Sequence, residues 1–278
     1  MSNKVVVVTG CSSGIGRALS EEFHRSGYRV IATARRVETL DALKNQDIGT
    51  ETLNVTDLQE TNRVVRAILE REGRIDILVN NAGFGLFGPT LDLPHEELVS
   101  QFHTNVFAPL NLIRLVAPAM RKQGGGTIIN IGSISGVVTT PFSGAYCASK
   151  AALHSFSDAL RMELAPYGIR VISVQPGGIQ SEFGKNSRRS AERIMKPGSW
   201  YESLKDSILS RAQLSQAGAI PSEEFARKLV RIIEGDNPPP VVRIGSRSFS
   251  LPFMNSVFPT ALLDSIFRKK FGLSKIMK

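Results

Sequence analysis

Short apolar runs alternate with amphipathic stretches almost from the start of the chain, and that alternation restricts it to a narrow set of folds. Runs such as Val5-Val6-Val7-Val8 and Ile128-Ile129-Asn130-Ile131 lack the polar alternation of a strand with one wet face. They read as strands of a parallel sheet covered on both sides. Strands are expected at 4–9, 28–34, 50–54, 76–80, 126–132, 169–175 and 241–244, and helices at 15–26, 37–44, 58–71, 95–122, 144–166 and 222–235. This order predicts an α/β fold: a single-domain, Rossmann-type doubly wound parallel sheet of about seven strands with helices on both faces.

With 278 residues, 42% hydrophobic and 21% charged, the chain can bury one large core and carries no compositional sign of disorder. No apolar run reaches the roughly 18 residues of a membrane span, and the first is too short for a signal-peptide core; an intracellular, cytoplasmic protein is expected. Cys11 and Cys147 form no Cys-x-x-Cys pair and are expected as free thiols. His24, His95, His103 and His154 show no paired ligand spacing, so no metal is expected. The net charge is +9, but from Val241 onward seven basic residues, ending with Lys275 and Lys278, face one acid, Asp264. The excess sits mainly on a tail, which argues against nucleic acid as the partner.

Two segments break the alternation. Between 180 and 221 the pattern lapses where such a fold needs a connection of only about 2 to 6 residues, and a long excursion at the carboxyl edge of a sheet is expected to be a substrate lid. Beyond the last strand, Leu262, Leu263, Ile266, Phe267 and Phe271 give a helical apolar stripe beside Arg268, Lys269 and Lys270. Residues 1–245 are therefore assigned to one dinucleotide-binding domain that includes the lid, and 246–278 to a basic amphipathic extension. Such a helix can cover the pocket, pack on a partner subunit or make peripheral contact with an anionic membrane; packing or pocket cover is the preferred expectation.

Directly after the first strand stands Thr9-Gly10-Cys11-Ser12-Ser13-Gly14-Ile15-Gly16, followed by an amphipathic stretch. Glycines there let the backbone turn tightly and approach a pyrophosphate, whose charge meets a helix amino terminus. The second strand ends Ala32-Thr33-Ala34-Arg35-Arg36 with no carboxylate for a ribose 2′-hydroxyl. Arg35 or Arg36 can instead pair with a 2′-phosphate, favouring NADP(H) over NAD(H).

Tyr146 and Lys150 open a helix at i, i+4 and share a face. A free tyrosine has a pKa of about 10, and a nearby ammonium is expected to lower it, which suits general acid/base work. Tyr201 and Lys205 repeat the spacing, but only Tyr146 has Ser133 thirteen residues before it, just past an apolar strand; position 188, in the same relation to Tyr201, is an arginine. Catalysis is assigned to Tyr146, leaving Tyr201 at most a substrate contact.

These residues together resemble the classical short-chain dehydrogenase/reductase family: Thr9 to Gly16, Asn80-Asn81-Ala82-Gly83, Asn105, Ser133, Tyr146 with Lys150, and Pro176-Gly177 match its motifs in order over about residues 3–185. The resemblance implies that Tyr146 exchanges a proton with the substrate oxygen and Ser133 orients that oxygen. It further implies that Lys150 holds the nicotinamide ribose and tunes Tyr146, while Asn105 anchors a water. Asn81, Ala82 and Gly83 would line the cofactor groove, Asn54 and Val55 would meet the adenine, and Pro176, Gly177 and Ile179 would flank the nicotinamide. Two positions depart from the pattern: Asn54 replaces an aspartate and Ser181 a threonine. Assembly as a homodimer or homotetramer is also implied.

Phe84, Leu86, Phe87, Val137, Val138 and Phe142 fall in loops expected to shape the substrate pocket. An apolar pocket with one polar end suits a lipophilic steroid, retinoid or acyl-lipid substrate, and the loops look most similar to the hydroxysteroid and retinol dehydrogenase branch and to acyl-dihydroxyacetone-phosphate reductases. The enzymatic alternative is a 3-oxoacyl thioester reductase; the alternative of another class is a non-catalytic dinucleotide-sensing regulator. Lys185, Arg188, Arg189, Arg193 and Lys196 in the lid are available to greet an anionic substrate, or are simply solvated.

Overall fold

The computed structural model describes residues 4–276, so Lys278 at the end of the basic extension lies outside the described residues. Seven strands form one parallel sheet: β1 (Val5–Thr9), β2 (Arg29–Ala34), β3 (Gly49–Thr52), β4 (Ile77–Asn80), β5 (Gly126–Ile131), β6 (Ile169–Pro176) and β7 (Val241–Ile244), in the spatial order β3-β2-β1-β4-β5-β6-β7. The pairing β1–β4 places Val6 opposite Ile77 and Val8 opposite Val79. Because the chain winds outward in both directions from β1, the crevice beyond the carboxyl ends of β1 and β4 is the switch point where such sheets take ligands.

Side chains alternate across a strand, so β1 divides its valines between two cores. Val6 and Val8 pack with Leu19 and Phe23 of α1 (Gly14–Arg25), with Leu43 of the single-turn α2 (Asp41–Lys44) and, further along the sheet, with Phe225 and Leu229 of α9 (Ser222–Ile233). Val5 and Val7 pack with Val64 and Ile68 of α3 (Leu58–Glu72) and with Leu112 and Val116 of α5 (Ala108–Lys122). The expected helix over 95–122 is three pieces: α4 (His95–Phe102), a π-helical turn over His103–Phe107, and α5. A π turn inserts an extra residue per turn, and such bulges are frequent at functional sites. Here the inserted turn contains Asn105. The helix α6 (Gly144–Leu164) runs unbroken beneath β5 and β6 and carries Tyr146 and Lys150.

The 180–221 segment, expected to be a lid, is helical where hydrophobic periodicity lapses. Its helices are α7 (Phe183–Ile194) and α8 (Lys205–Gln213). The buried face of α7 is Gly184, Ser187, Ala191 and Ile194; the spacing is helical, but small and polar residues occupy it. The extension forms α10 (Ser250–Val257) and α11 (Thr260–Lys270). Leu263 and Phe267 of α11 and Phe271 beyond it are buried in a cluster with Phe87, Tyr146 and Leu209, while Leu262 and Ile266 are exposed. The tail helix thus covers the pocket. Among the described residues no helix is long and apolar enough to cross a membrane.

The start of α3 is set locally: Asp57 accepts hydrogen bonds from the amides of Gln59 and Glu60, each at 2.9 Å, satisfying two of the donors that a helix leaves open. Asp57→Ala is expected to lose about 1 kcal/mol of stability. In urea denaturation the midpoint should fall with the slope unchanged.

Candidate active site

Past Thr9 the chain reverses through Gly10, whose φ of +72° favours glycine and whose Cβ would lie 2.8 Å from the Cα of Ala82. A side chain on Gly16 would collide with the Gly10 carbonyl, so α1 can approach the turn closely only because that position is bare. Ser13 precedes α1 without making a side-chain cap, and the first turn of the helix contains no acid. Its amides therefore start uncapped beside a cavity lined by Gly10, Ser12, Ser13, Gly14 and Ile15. A bound anion fits this environment. Cys11 does not face it: the thiol is buried, and burial pushes its pKa up to about 12.

The floor is tied to the turn across the switch point. Thr9 Oγ1 accepts from the amides of Asn81 and Ala82 at 3.0 Å each, and Asn81 Nδ2 donates to the carbonyls of Thr9 and Gly10 at 2.8 and 3.1 Å. Asn81, Ala82 and Gly83 line the cavity, as do Arg35, Asn54 and Val55 at one end and Pro176, Gly177, Ile179 and Ser181 at the other. Asn54 Oδ1 accepts from Thr56 Oγ1 at 2.9 Å and from its amide at 3.3 Å. Arg36 and Gly16 are not among the lining residues; Arg36 is exposed, and its carbonyl starts the next helical turn by accepting from Thr39.

Ser133, Tyr146 and Lys150 converge on the same cavity. Ser133 stands near enough to Tyr146 to pull its pKa down, and its Oγ accepts from the Ser135 amide at 3.1 Å. Lys150 Nζ donates to the Ile131 carbonyl at 2.7 Å, and burial pushes its pKa down to about 8. The expected lowering of Tyr146 is not what the structure gives. Burial pushes this phenol up to about 12, against nearby Ser133 and the charge of Arg211, which pull it down. The ring lies 5.7 Å from Phe87 and 5.3 Å from Phe183, centroid to centroid, so desolvation outweighs the neighbouring charge.

Asn105 is buried and does not line the cavity. Its amide nitrogen donates to the Phe84 carbonyl at 3.0 Å and to Ser149 Oγ at 3.1 Å, and its Oδ1 accepts from the Phe84 amide at 3.1 Å. The residue fixes the 83–85 turn and keeps one Oδ1 lone pair for a further donor. Tyr201 packs edge-on against Phe142 at 6.0 Å and, like Lys205, is outside the cavity lining, so the second Tyr-x-x-x-Lys is separated from the first.

Two residues of this neighbourhood are missed by the sequence patterns. His154, one turn beyond Lys150, accepts from the Ser133 amide at 3.3 Å. Arg211 of α8 is only 7% exposed, lines the cavity, and donates to Thr140 Oγ1 at 2.7 Å and Ser143 Oγ at 3.1 Å. Its place on the stripe with Ile208 and Ala212 was the available signal, since both are buried. The whole cavity measures about 1340 Å³, larger than the 300–1,000 Å³ usual for one small ligand, and so has room for a dinucleotide with a substrate beside it.

Comparison with known proteins agrees with this geometry. The family model described as short chain dehydrogenase matches residues 4–192. The chain is 33% identical to a 3-ketodihydrosphingosine reductase of Bacteroides thetaiotaomicron over 88% of this chain and 89% of that one. It is 32% identical to an NADPH-dependent 1-acyldihydroxyacetone phosphate reductase of Saccharomyces cerevisiae, over 98% and 93%. A short-chain dehydrogenase structure from Streptomyces avermitilis superposes with a TM-score of 0.79 at 30% identity, covering 99% of this chain and 97% of that one.

The environment of His154 makes stability depend on pH. Burial, with Lys150 nearby, pushes its pKa down to about 4 from 6.5, so between those values the unfolded chain binds a proton that the native state refuses. Native stability must therefore fall as pH drops through this window, by up to about 1.4 kcal/mol per pH unit from this group. His154→Gln keeps an acceptor for Ser133 but cannot take the proton. Urea denaturation at a series of pH values should show the variant gaining on the wild type from about pH 6.5 to 4; parallel curves would contradict the assignment.

Proposed function

The chain belongs to the short-chain dehydrogenase/reductase family, and on that premise we propose that it is an NADP(H)-dependent oxidoreductase interconverting a carbonyl and an alcohol on a lipophilic substrate. The observation that carries this is the convergence of Ser133, Tyr146 and Lys150 on one cavity between the glycine turn and an apolar wall of Phe84, Phe87 and Phe183.

The uncapped start of α1, with Gly10, Ser12, Ser13, Gly14 and Ile15 and with Gly16 packed behind, would hold the pyrophosphate. Arg35 would meet the 2′-phosphate, with Arg36 beside it; Asn54 and Val55 would hold the adenine; Asn81, Ala82, Gly83, Pro176, Gly177 and Ile179 would flank the nicotinamide ribose and ring. When bound, the dinucleotide supplies the hydride that reduces the carbonyl carbon. Tyr146 then gives its phenolic proton to the substrate oxygen. An alkoxide is a far stronger base than a phenolate, so even a phenol held near 12 transfers its proton downhill, and its high pKa keeps it protonated at neutral pH. Ser133 Oγ, fixed by the Ser135 amide, orients the oxygen. Lys150 presents an ammonium to the ribose hydroxyls and to the restored proton, and Asn105 acts as a positioning residue through the Phe84 turn and a water on its remaining lone pair. The lipid-acting names of two relatives, one of them NADPH-dependent, support the substrate type and the cofactor.

A panel of steroid, retinoid, long-chain ketone and acyl-thioester substrates with NADPH and NADH tests this. Tyr146→Phe should lower kcat by about 10²- to 10⁴-fold while NADPH still binds. Arg35→Ala should raise KM for NADPH by about tenfold and leave that for NADH unchanged. Undiminished turnover by Tyr146→Phe, or a wild-type preference for NADH, would contradict the proposal; binding of cofactor without turnover of any substrate would favour a dinucleotide sensor.

A further inference from the structure

The cavity is lined by seven cationic side chains and a single carboxylate, Glu96. Arg35 and Lys150 belong to the cofactor side in the proposed reading; of the two lid cations on the cavity wall, Arg193 is paired with Glu97 and Arg189 stands exposed on α7, away from the three cations that act on one another. Arg211, Arg247 and Lys270 remain. Arg211 lies on the substrate side of Tyr146, bonded to the 140–143 segment that leads into α6 and stacked 5.1 Å from the Phe87 ring centroid and 5.9 Å from that of Phe271.

A buried guanidinium ordinarily meets a carboxylate, because an uncompensated charge is costly to desolvate. Arg211 has no ion pair among the described residues. Its partners are two hydroxyls, which take two of the five N–H donors and leave three. The other two cations sharpen the imbalance instead of relieving it. Lys270 is depressed first by burial and then by Arg247 and Arg211, and neither Lys270 nor Arg247 has an ion pair among the described residues. Arg247 is held on the cavity wall with a φ of +62°, an unfavourable conformation for a residue with a side chain and one that concentrates at ligand sites. Three elements thus bring like charges together around an apolar cavity: α8, the turn after β7, and the end of α11.

We propose that Arg211, Arg247 and Lys270 form a receptor for the anionic head group, phosphate or carboxylate, of the lipophilic carbonyl substrate. The guanidinium of Arg211 offers paired donors to two oxygens of the head group, Arg247 and Lys270 add charge at the mouth, and Phe87, Phe267 and Phe271 receive the chain. The assignment rests on the oxidoreductase reading above and specifies its substrate class.

Binding of decyl phosphate, decanoate and decanol to the full-length protein saturated with NADPH, measured by calorimetry, tests the receptor without turnover. The anions should bind at least about tenfold more tightly than decanol, with the better of the two identifying the head group. Arg211→Met should erase the preference and leave decanol binding intact. The exposed pair Arg247→Ala/Lys270→Ala, which does not disturb the core, should weaken the anion preference severalfold and flatten its salt dependence. Equal binding of all three ligands, an anion preference undiminished in the Arg247→Ala/Lys270→Ala variant, or one that survives in a folded Arg211→Met, would overturn the receptor. Turnover of uncharged long-chain ketones with no anion preference would discard the receptor and leave the oxidoreductase reading standing; anion preference with no turnover of any carbonyl would do the reverse.

Discussion

The hydrogen bonds between Thr9 and Asn81 join the ends of β1 and β4, strands from the two halves of the sheet, and the rest of the site hangs on that junction. Thr9 Oγ1 receives two amides of the 81–82 segment while the Asn81 amide returns to the carbonyls of the glycine turn. The turn that starts α1 and the floor that leads to Gly83 therefore cannot move independently. From Gly83 the order propagates outward: Asn105 clamps Phe84 and reaches Ser149, and Ser149 lies beside Lys150 in α6. A chain of short, partly buried hydrogen bonds links the end of β1 to the helix turn that holds Tyr146 and Lys150.

Burial governs the chemistry of that pair more than any single charge. Tyr146 and Lys150 are both enclosed, and enclosure moves them in opposite directions, the phenol up to about 12 and the ammonium down to about 8. Each shift favours the neutral form. A neutral phenol is the form needed to donate a proton to a reduced carbonyl, so the apolar wall proposed to receive a lipophilic substrate would also keep the proposed proton donor loaded. The same low-dielectric enclosure makes the unpaired charge of Arg211 conspicuous.

The sheet was legible because buried parallel strands are dense in Val and Ile on both faces; β1, β5 and β6 fall within a residue of their expected limits. The glycine turn, Ser133, Tyr146 and Lys150 were legible because each sits at a strand end or a helix start with a fixed spacing. Asn105 was legible as a residue but not as a conformation, since nothing in His103–Phe107 announces a π turn. The helices of the lid escaped because α7 buries glycine, serine and alanine, which hydrophobic periodicity does not register. Arg211 escaped for the opposite reason: a helical arginine is ordinarily solvated, and only the packing of α8 against Phe87 and Phe271 turns it inward. The tail helix was expected from its stripe, but only packing selected Leu263, Phe267 and Phe271 over Leu262 and Ile266 as its buried face.

The central claim is that one cavity brings a nicotinamide dinucleotide and a lipophilic carbonyl together for hydride transfer. Its most direct measurement uses NADPH deuterated at the transferring carbon and a long-chain ketone bearing an anionic end, with the product analysed by mass spectrometry. The account predicts an alcohol carrying one deuterium on the former carbonyl carbon for each cofactor oxidised. Cofactor that binds tightly yet delivers no deuterium to any carbonyl compound offered would contradict it.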